Sequence, residues 1–128
     1  MRPLAIALLL AAAACAGPGG EPEPEAPRVT VSGWRWDFDA KAPGFCIGRG
    51  YVRNAGNAAI TNVQFAVTFF DAANVPVATG KVTANKPVLE VGEQSSFSFN
   101  LPCPQGSDSA ELKATHGFDK PLVMVMCG

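Results

Sequence analysis

The segment from Thr61 to Asp71 alternates between large apolar and small or polar side chains with a period of two. This is the period of a β-strand with one buried face, because successive side chains of a strand point to opposite sides of the sheet. The apolar positions of this segment are Val63, Phe65, Val67 and Phe69. We therefore predict a strand here whose valines and phenylalanines face a core.

Other segments of the chain repeat this pattern at roughly ten-residue spacing and are separated by turn residues such as Ala42-Pro43-Gly44 and Asn54-Ala55-Gly56-Asn57. The further predicted strands are Val29 to Phe38, Phe45 to Asn54, Val75 to Ala84, Gln94 to Leu101, Ala110 to Thr115 and Leu122 to Cys127. No segment keeps a helical period for three turns. The sequence predicts an all-β fold, an immunoglobulin-like antiparallel β-sandwich of six or seven strands, over residues 28–128.

The N-terminal segment has a different character. A basic start at Arg2 precedes an apolar run, and small residues lead into Cys15. This layout resembles the lipobox of bacterial lipoproteins, with Ala12-Ala13-Ala14 before the cysteine. The resemblance implies a signal peptide over residues 1–14 and acyl chains such as palmitate on Cys15. The alternative is an ordinary secretory signal cut after Ala14 or Ala16.

Residues 15–27 contain few side chains that could enter a core. Gly17-Pro18-Gly19-Gly20 is followed by Glu21-Pro22-Glu23-Pro24-Glu25, which is stiffened by proline and charged. We expect a tether that carries the folded domain away from a membrane. Since the residues after Cys15 lack the Asp that resembles an inner-membrane retention signal, the outer membrane, facing the periplasm, is favoured if two membranes are present.

Several short motifs between Phe45 and Leu101 resemble the FxLYD-type domain, a small immunoglobulin-like module of bacterial envelope proteins. They are Gly50-x-Val52-x-Asn54, Thr61-Asn62-Val63, Val67-Thr68-Phe69-Phe70-Asp71, Leu89-x-Val91-Gly92-Glu93 and Phe97-x-Phe99. Val67, Phe69, Phe70 and Val91 replace the Phe, Leu, Tyr and Pro of the family pattern. The resemblance implies no catalytic residues. Independently of it, we expect structural roles at turns for Asn54, Asp71 and Gly92.

With Cys15 lipidated, three cysteines are left in an oxidising compartment. A seven-strand order makes Cys46–Cys103 the favoured disulfide, because the second and fifth strands are usually antiparallel neighbours in this fold. Cys103–Cys127 and Cys46–Cys127 are the alternatives. If Cys46 pairs with Cys103, Cys127 is a free thiol, and the protein is a monomer or a Cys127-linked dimer.

Composition argues against several function classes. Ten Lys and Arg balance eleven Asp and Glu, and no basic cluster indicates nucleic acid. His116 is the only histidine, and no G-x-S-x-G elbow or phosphate-binding glycine loop occurs. We therefore expect a protein without catalytic activity, cofactor or metal.

The predicted function is that of a membrane-anchored envelope lipoprotein whose domain is a binding or scaffold module for an unidentified envelope protein or glycan. Two alternatives stay open. Met124, Met126, Cys127 and His116 are soft ligands that suit Cu(I) in a copper-handling periplasmic protein. Trp34 and Trp36 offer a stacking surface for a glycan or peptidoglycan, although such a stripe more often covers a core.

Overall fold

The computed structural model describes residues 27–127, and this part of the chain contains strands and no helix. The signal peptide over residues 1–14, the lipid site at Cys15 and all of the tether except residue 27 lie outside the described residues. Ten strands occur: β1 (Arg28–Phe38), β2 (Phe45–Asn54), β3 (Ile60–Thr61), β4 (Gln64–Asp71), β5 (Pro76–Thr83), β6 (Val88–Leu89), β7 (Gln94–Pro102), β8 (Ser107–His116), β9 (Lys120–Pro121) and β10 (Val123–Cys127).

The strands form two four-stranded sheets and one small ribbon. The first sheet has the order β10-β1-β2-β7, the second has the order β5-β4-β8-β9, and β3 pairs with β6. The predicted β-sandwich is confirmed, and the seven strands of five residues or more correspond to the predicted strands. One pair departs from the antiparallel expectation, since β10 runs parallel to β1.

The core lies between the two four-stranded sheets. Phe65 on β4 packs against Phe97 on β7 with ring centroids 4.4 Å apart, and Phe69 meets Phe99 at 6.2 Å. All four phenylalanines are buried, which confirms the predicted inward faces of both strands. The core therefore joins the two sheets through aromatic pairs.

Two glycines of β2 allow these rings to approach the first sheet. Gly48 lies opposite Phe99 and Gly50 opposite Phe97, and both face inward. A Cβ atom at Gly50 would lie 2.7 Å from Cζ of Phe97, closer than packed atoms approach one another. The phenylalanine rings thus occupy the space above β2 that side chains would otherwise fill.

A β-bulge changes the alternation of β1. Ser32 lies opposite Tyr51, but Arg35 lies opposite Arg49, so β1 contains one extra residue. Gly33 has a φ of 62°, which a glycine adopts without steric cost. Because of the bulge, Val29 and Val31 face the core before it, and Trp34 and Trp36 pack against the core after it.

Candidate ligand-binding face

A groove crosses the outer face of the β10-β1-β2-β7 sheet and has a volume of about 470 Å³. Its floor is the row Trp36–Gly48–Phe99. The two aromatic side chains of this row point inward, so only backbone atoms face the groove. The rows on either side place their side chains outward and form two walls. The lining residues are Arg35, Trp36, Asp37, Ile47, Gly48, Arg49, Ser98 and Phe99.

The two walls differ in chemistry. One is the row Arg35–Arg49–Ser98, in which the two arginines lie directly opposite each other on β1 and β2. The other contains Asp37 opposite Ile47. The groove therefore runs between a positively charged wall and a mixed apolar and acidic wall.

The guanidinium groups of Arg35 and Arg49 form no hydrogen bond or ion pair with any residue from 27 to 127. Like charges placed directly opposite on neighbouring strands destabilise a sheet by a few tenths of a kcal/mol to about 1 kcal/mol. The donors of both arginines are therefore open to solvent.

Neighbouring side chains on this face are engaged within the protein. Arg53 donates hydrogen bonds to the carbonyl oxygen of Gly92 at 2.7 Å and to Oε1 of Gln94 at 3.3 Å, which assigns it to the turn before β7. The ring of Tyr51 covers the bulge, because a Cβ atom on Gly33 would lie 3.2 Å from its Cδ2 atom. Tyr51 is nevertheless about half exposed beside the arginine wall.

The structure places both tryptophans on the inner side of the sheet. Trp34 stacks on Phe97 with centroids 6.2 Å apart, and Trp36 meets the fully buried Phe69 edge-on at 5.5 Å. Both are half-buried against the core. They therefore do not form an open stacking surface. Their position agrees with the sequence-based expectation that such a stripe more often covers a core.

The four soft ligands are not gathered into one site. His116 ends β8 opposite Lys120, whereas Cys127 ends the edge strand β10 opposite Ser32 of the first sheet. Met124 packs against the core, while Met126 is exposed. Burial, followed by the charge of Lys120, lowers the pKa of His116. Over residues 27–127 no three His, Cys, Asp or Glu side chains are grouped as metal ligands.

The cysteines confirm one prediction and correct another. Cys46 and Cys103 form a disulfide with Cα atoms 5.7 Å apart, as the antiparallel pairing of β2 and β7 favours. The free thiol predicted at Cys127 is wrong, because Cys127 is disulfide-bonded. The choice between a monomer and a Cys127-linked dimer stays a prediction.

The motif residues at the strand ends make structural contacts. The Asn54 side chain is fully buried and donates to the carbonyl oxygens of Ala58 and Leu89, both at 2.9 Å. The Asp71 carboxylate accepts hydrogen bonds from the amides of Ala73 and Val75. These contacts confirm turn roles for both residues.

The turn before β7 has a similar construction. Gly92 has a φ of 81°, and the Glu93 carboxylate accepts from the amide of Glu90 and pairs with Lys86 at 2.6 Å. The hydrogen bond from Lys86, followed by that from Glu90, lowers the pKa of Glu93. Gly92 therefore has the predicted positive φ.

Sequence reasoning placed Arg35, Arg49 and Ile47 on strand faces without identifying them as a site. The missing information was the register between β1 and β2, which the bulge at Gly33 shifts by one residue. A signal was present in the sequence: the apolar positions change from odd numbers (Val29, Val31) to even numbers (Trp34, Trp36) across a glycine.

Comparison with known proteins agrees with the fold. No protein-family model matches the chain, and no curated protein matches it. Among solved structures, the fold is similar to IrmA from Escherichia coli, with a TM-score of 0.54, 10% sequence identity, and coverage of 78% of this chain and 91% of that chain. At this identity the likeness shows an all-β sandwich fold alone. The described residues contain no helix that could span a membrane.

Proposed function

We propose that the chain is a lipid-anchored protein of the bacterial cell envelope whose β-sandwich is a non-catalytic binding module. The apolar run that ends at Cys15 supports the anchor, and the Pro/Glu segment after it suits a tether. The Cys46–Cys103 disulfide fits an oxidising compartment outside the cytosol. The contacts of Asn54, Asp71 and Glu93 suit the FxLYD-type module that the sequence resembles.

The observation that carries the binding role is the arginine wall of the groove. Two adjacent guanidinium groups without an acidic partner cost stability in the free protein, and a ligand that neutralises them recovers it. The ligand-binding surface that we propose is therefore the outer face of the β10-β1-β2-β7 sheet.

Membrane fractionation tests the anchor. Native protein should stay in the membrane fraction after a high-salt wash and move to the soluble fraction with detergent. The Cys15→Ser variant should be soluble without detergent. Retention of this variant in the membrane fraction contradicts the lipid anchor.

Site-directed crosslinking in intact cells tests the binding face. A photoreactive residue at Ser98, which is exposed in the groove wall, should give adducts that disappear when Arg35 and Arg49 are both changed to Gln. The same residue at Thr79, exposed on β5 of the opposite sheet, is the control. Equal adducts from both positions, or adducts that do not depend on the arginines, contradict the proposed face.

A further inference from the structure

We infer that the groove binds the carboxylate groups of an acidic glycan, with Arg35 and Arg49 as the carboxylate-binding residues. This inference rests on the proposed binding function of the same face and adds the chemical class of the ligand.

The outward side chains beside the groove carry more positive than negative charge. Between the bulge and the groove, the outward side chains of β1 and β2 include two bases, Arg35 and Arg49, and one acid, Asp37. The outward side chains of β7 are all neutral. Arginine presents a planar set of donors that matches a carboxylate in bidentate geometry. Since the two guanidinium groups have no partner among residues 27–127, an incoming carboxylate does not have to displace a protein acid.

The groove is wide enough for a sugar ring. The walls stand two residues apart along the strands, a separation of about 7 Å, and the floor has no outward side chain. Arg35 and Arg49 sit on adjacent strands about 5 Å apart. This spacing lets both arginines reach one carboxylate while the rest of a ring lies over the floor.

The groove's position within the sheet favours a glycan over a peptide. Peptides commonly add to a sheet through an exposed edge, but the floor of the groove is centred on Gly48 of β2, which is paired with Trp36 of β1 on one side and with Phe99 of β7 on the other. Recognition here must come from side chains. Ser98 and Asp37 supply a hydroxyl and a carboxylate for sugar hydroxyl groups, and Ile47, 44% exposed, supplies an apolar contact for a ring face.

Because the tryptophans point inward, the groove is a better surface for a sugar than a tryptophan platform. Trp34 and Trp36 pack on core phenylalanines, so a stacking platform made from them would require the sheet to open. The groove lies on the opposite side of the same strands and requires no rearrangement.

The test measures binding of the full chain, purified in detergent, to three probes of similar length: oligogalacturonate, maltohexaose and hexaglutamate. The first is an acidic glycan, the second a neutral glycan and the third an acidic peptide. Calorimetry at low and high salt gives the affinities. We expect oligogalacturonate to bind, and to bind more weakly as salt rises, since exposed charges are screened.

A pair of variants locates the site. Arg35→Gln with Arg49→Gln should lower the affinity for oligogalacturonate by about tenfold or more. The control is Lys81→Gln with Lys113→Gln, which removes the same two charges from the outer face of the other sheet, where both lysines flank Ala66. The control should bind as the native chain does.

Three results overturn the inference. Equal losses in both double variants would mean that net charge, rather than the groove, attracts the glycan. Arginine-dependent binding of hexaglutamate without oligogalacturonate would make the ligand an acidic peptide and leave the proposed face intact. If none of the probes binds, the acidic-glycan class is wrong, and the Ser98 crosslinking result decides separately whether the face binds anything.

Discussion

Asn54 stabilises the end of the sandwich at which β2 finishes. Its side-chain amide donates to two carbonyl oxygens from separate segments, at Ala58 and Leu89, and its Oδ1 accepts from the amide of Gly56 at 2.9 Å. Its backbone also bonds the turn before β7 through Glu93. One buried side chain thus joins the end of β2 to the loop before β3 and to β6.

We expect Asn54→Ala to lower the free energy of unfolding by about 2–4 kcal/mol, because a buried carbonyl group, a partly buried carbonyl group and a buried amide lose their partners. Urea denaturation measures this. The control is Asn85→Ala, whose side chain donates to Ser96 Oγ at the surface and should cost less than about 1 kcal/mol. Equal effects of the two substitutions would contradict the role given to Asn54.

Glu93 gives the fold a pH dependence at acidic pH. Its pKa is lowered in the folded protein, first by the hydrogen bond from Lys86 and then by that from Glu90. The ionised form is therefore favoured by folding. The stabilisation is complete well above the ordinary glutamate value of about 4.5 and is lost as the pH falls through the lowered pKa.

Comparison of the native chain with Glu93→Gln over a series of pH values measures this contribution. The native chain should be the more stable near neutral pH, and the difference should shrink as the pH falls below about 4.5. Glu111→Gln, an exposed change on β8, serves as the control and should show no such trend. A difference that grows toward acidic pH would mean that the sign of the Glu93 shift is wrong.

At the scale of elements, the close contact of β2 with β7 determines how the first sheet is packed. Gly50 and Gly48 leave room for Phe97 and Phe99, and the rings in turn contact Trp34. Small residues on one strand and aromatic residues on its neighbour are therefore complementary. A larger side chain on β2 must move a ring that also forms the inter-sheet core.

We expect Gly50→Ala to destabilise the protein by about 1–3 kcal/mol, as overpacking of a core does. The new Cβ atom would lie 2.7 Å from Phe97 Cζ. Gly106→Ala is the matched control, since a Cβ atom there meets nothing within 4 Å and should change stability little. Thermal unfolding of both variants distinguishes them, and an equally stable Gly50→Ala would show that the ring has free space to move into.

The same elements show what the sequence could and could not predict. The alternation of Val63 to Phe69 was sufficient for the position and inward face of β4, because one buried face requires that period. The parallel pairing of β10 with β1 and the register of β1 on β2 depend on which strands meet in space, whereas the local pattern contains only the change of parity at Gly33. The groove was missed for the same reason, since Arg35 and Arg49 are neighbours only through that register.

For the whole molecule, the Cys46–Cys103 disulfide closes the longest described covalent loop. It joins residues 57 positions apart and links the second residue of β2 to the residue that follows β7. A bridge of this loop length stabilises by about 4 kcal/mol, because it restricts the unfolded chain. The contribution of the disulfide is therefore comparable with the net free energy of unfolding of a small domain.

Cys46→Ala with Cys103→Ala should lower the free energy of unfolding by about 2–5 kcal/mol in urea titration, without leaving a lone thiol at this position. Both chains are measured without reductant, because a reductant would also break the disulfide of Cys127. If the double variant unfolds at the native midpoint, the bridge between β2 and the end of β7 does not contribute to the stability of the fold.

The central claim, that this sandwich works from a membrane anchor, is tested most directly by the intact mass of the mature chain extracted from its native membrane. Acylation and disulfide formation compete for the sulfur of Cys15, so the mass separates them. We expect a chain that begins at Cys15 and carries the added mass of acyl chains. An unmodified chain that begins at Ala16 or Gly17, or one with Cys15 in a disulfide, would contradict it.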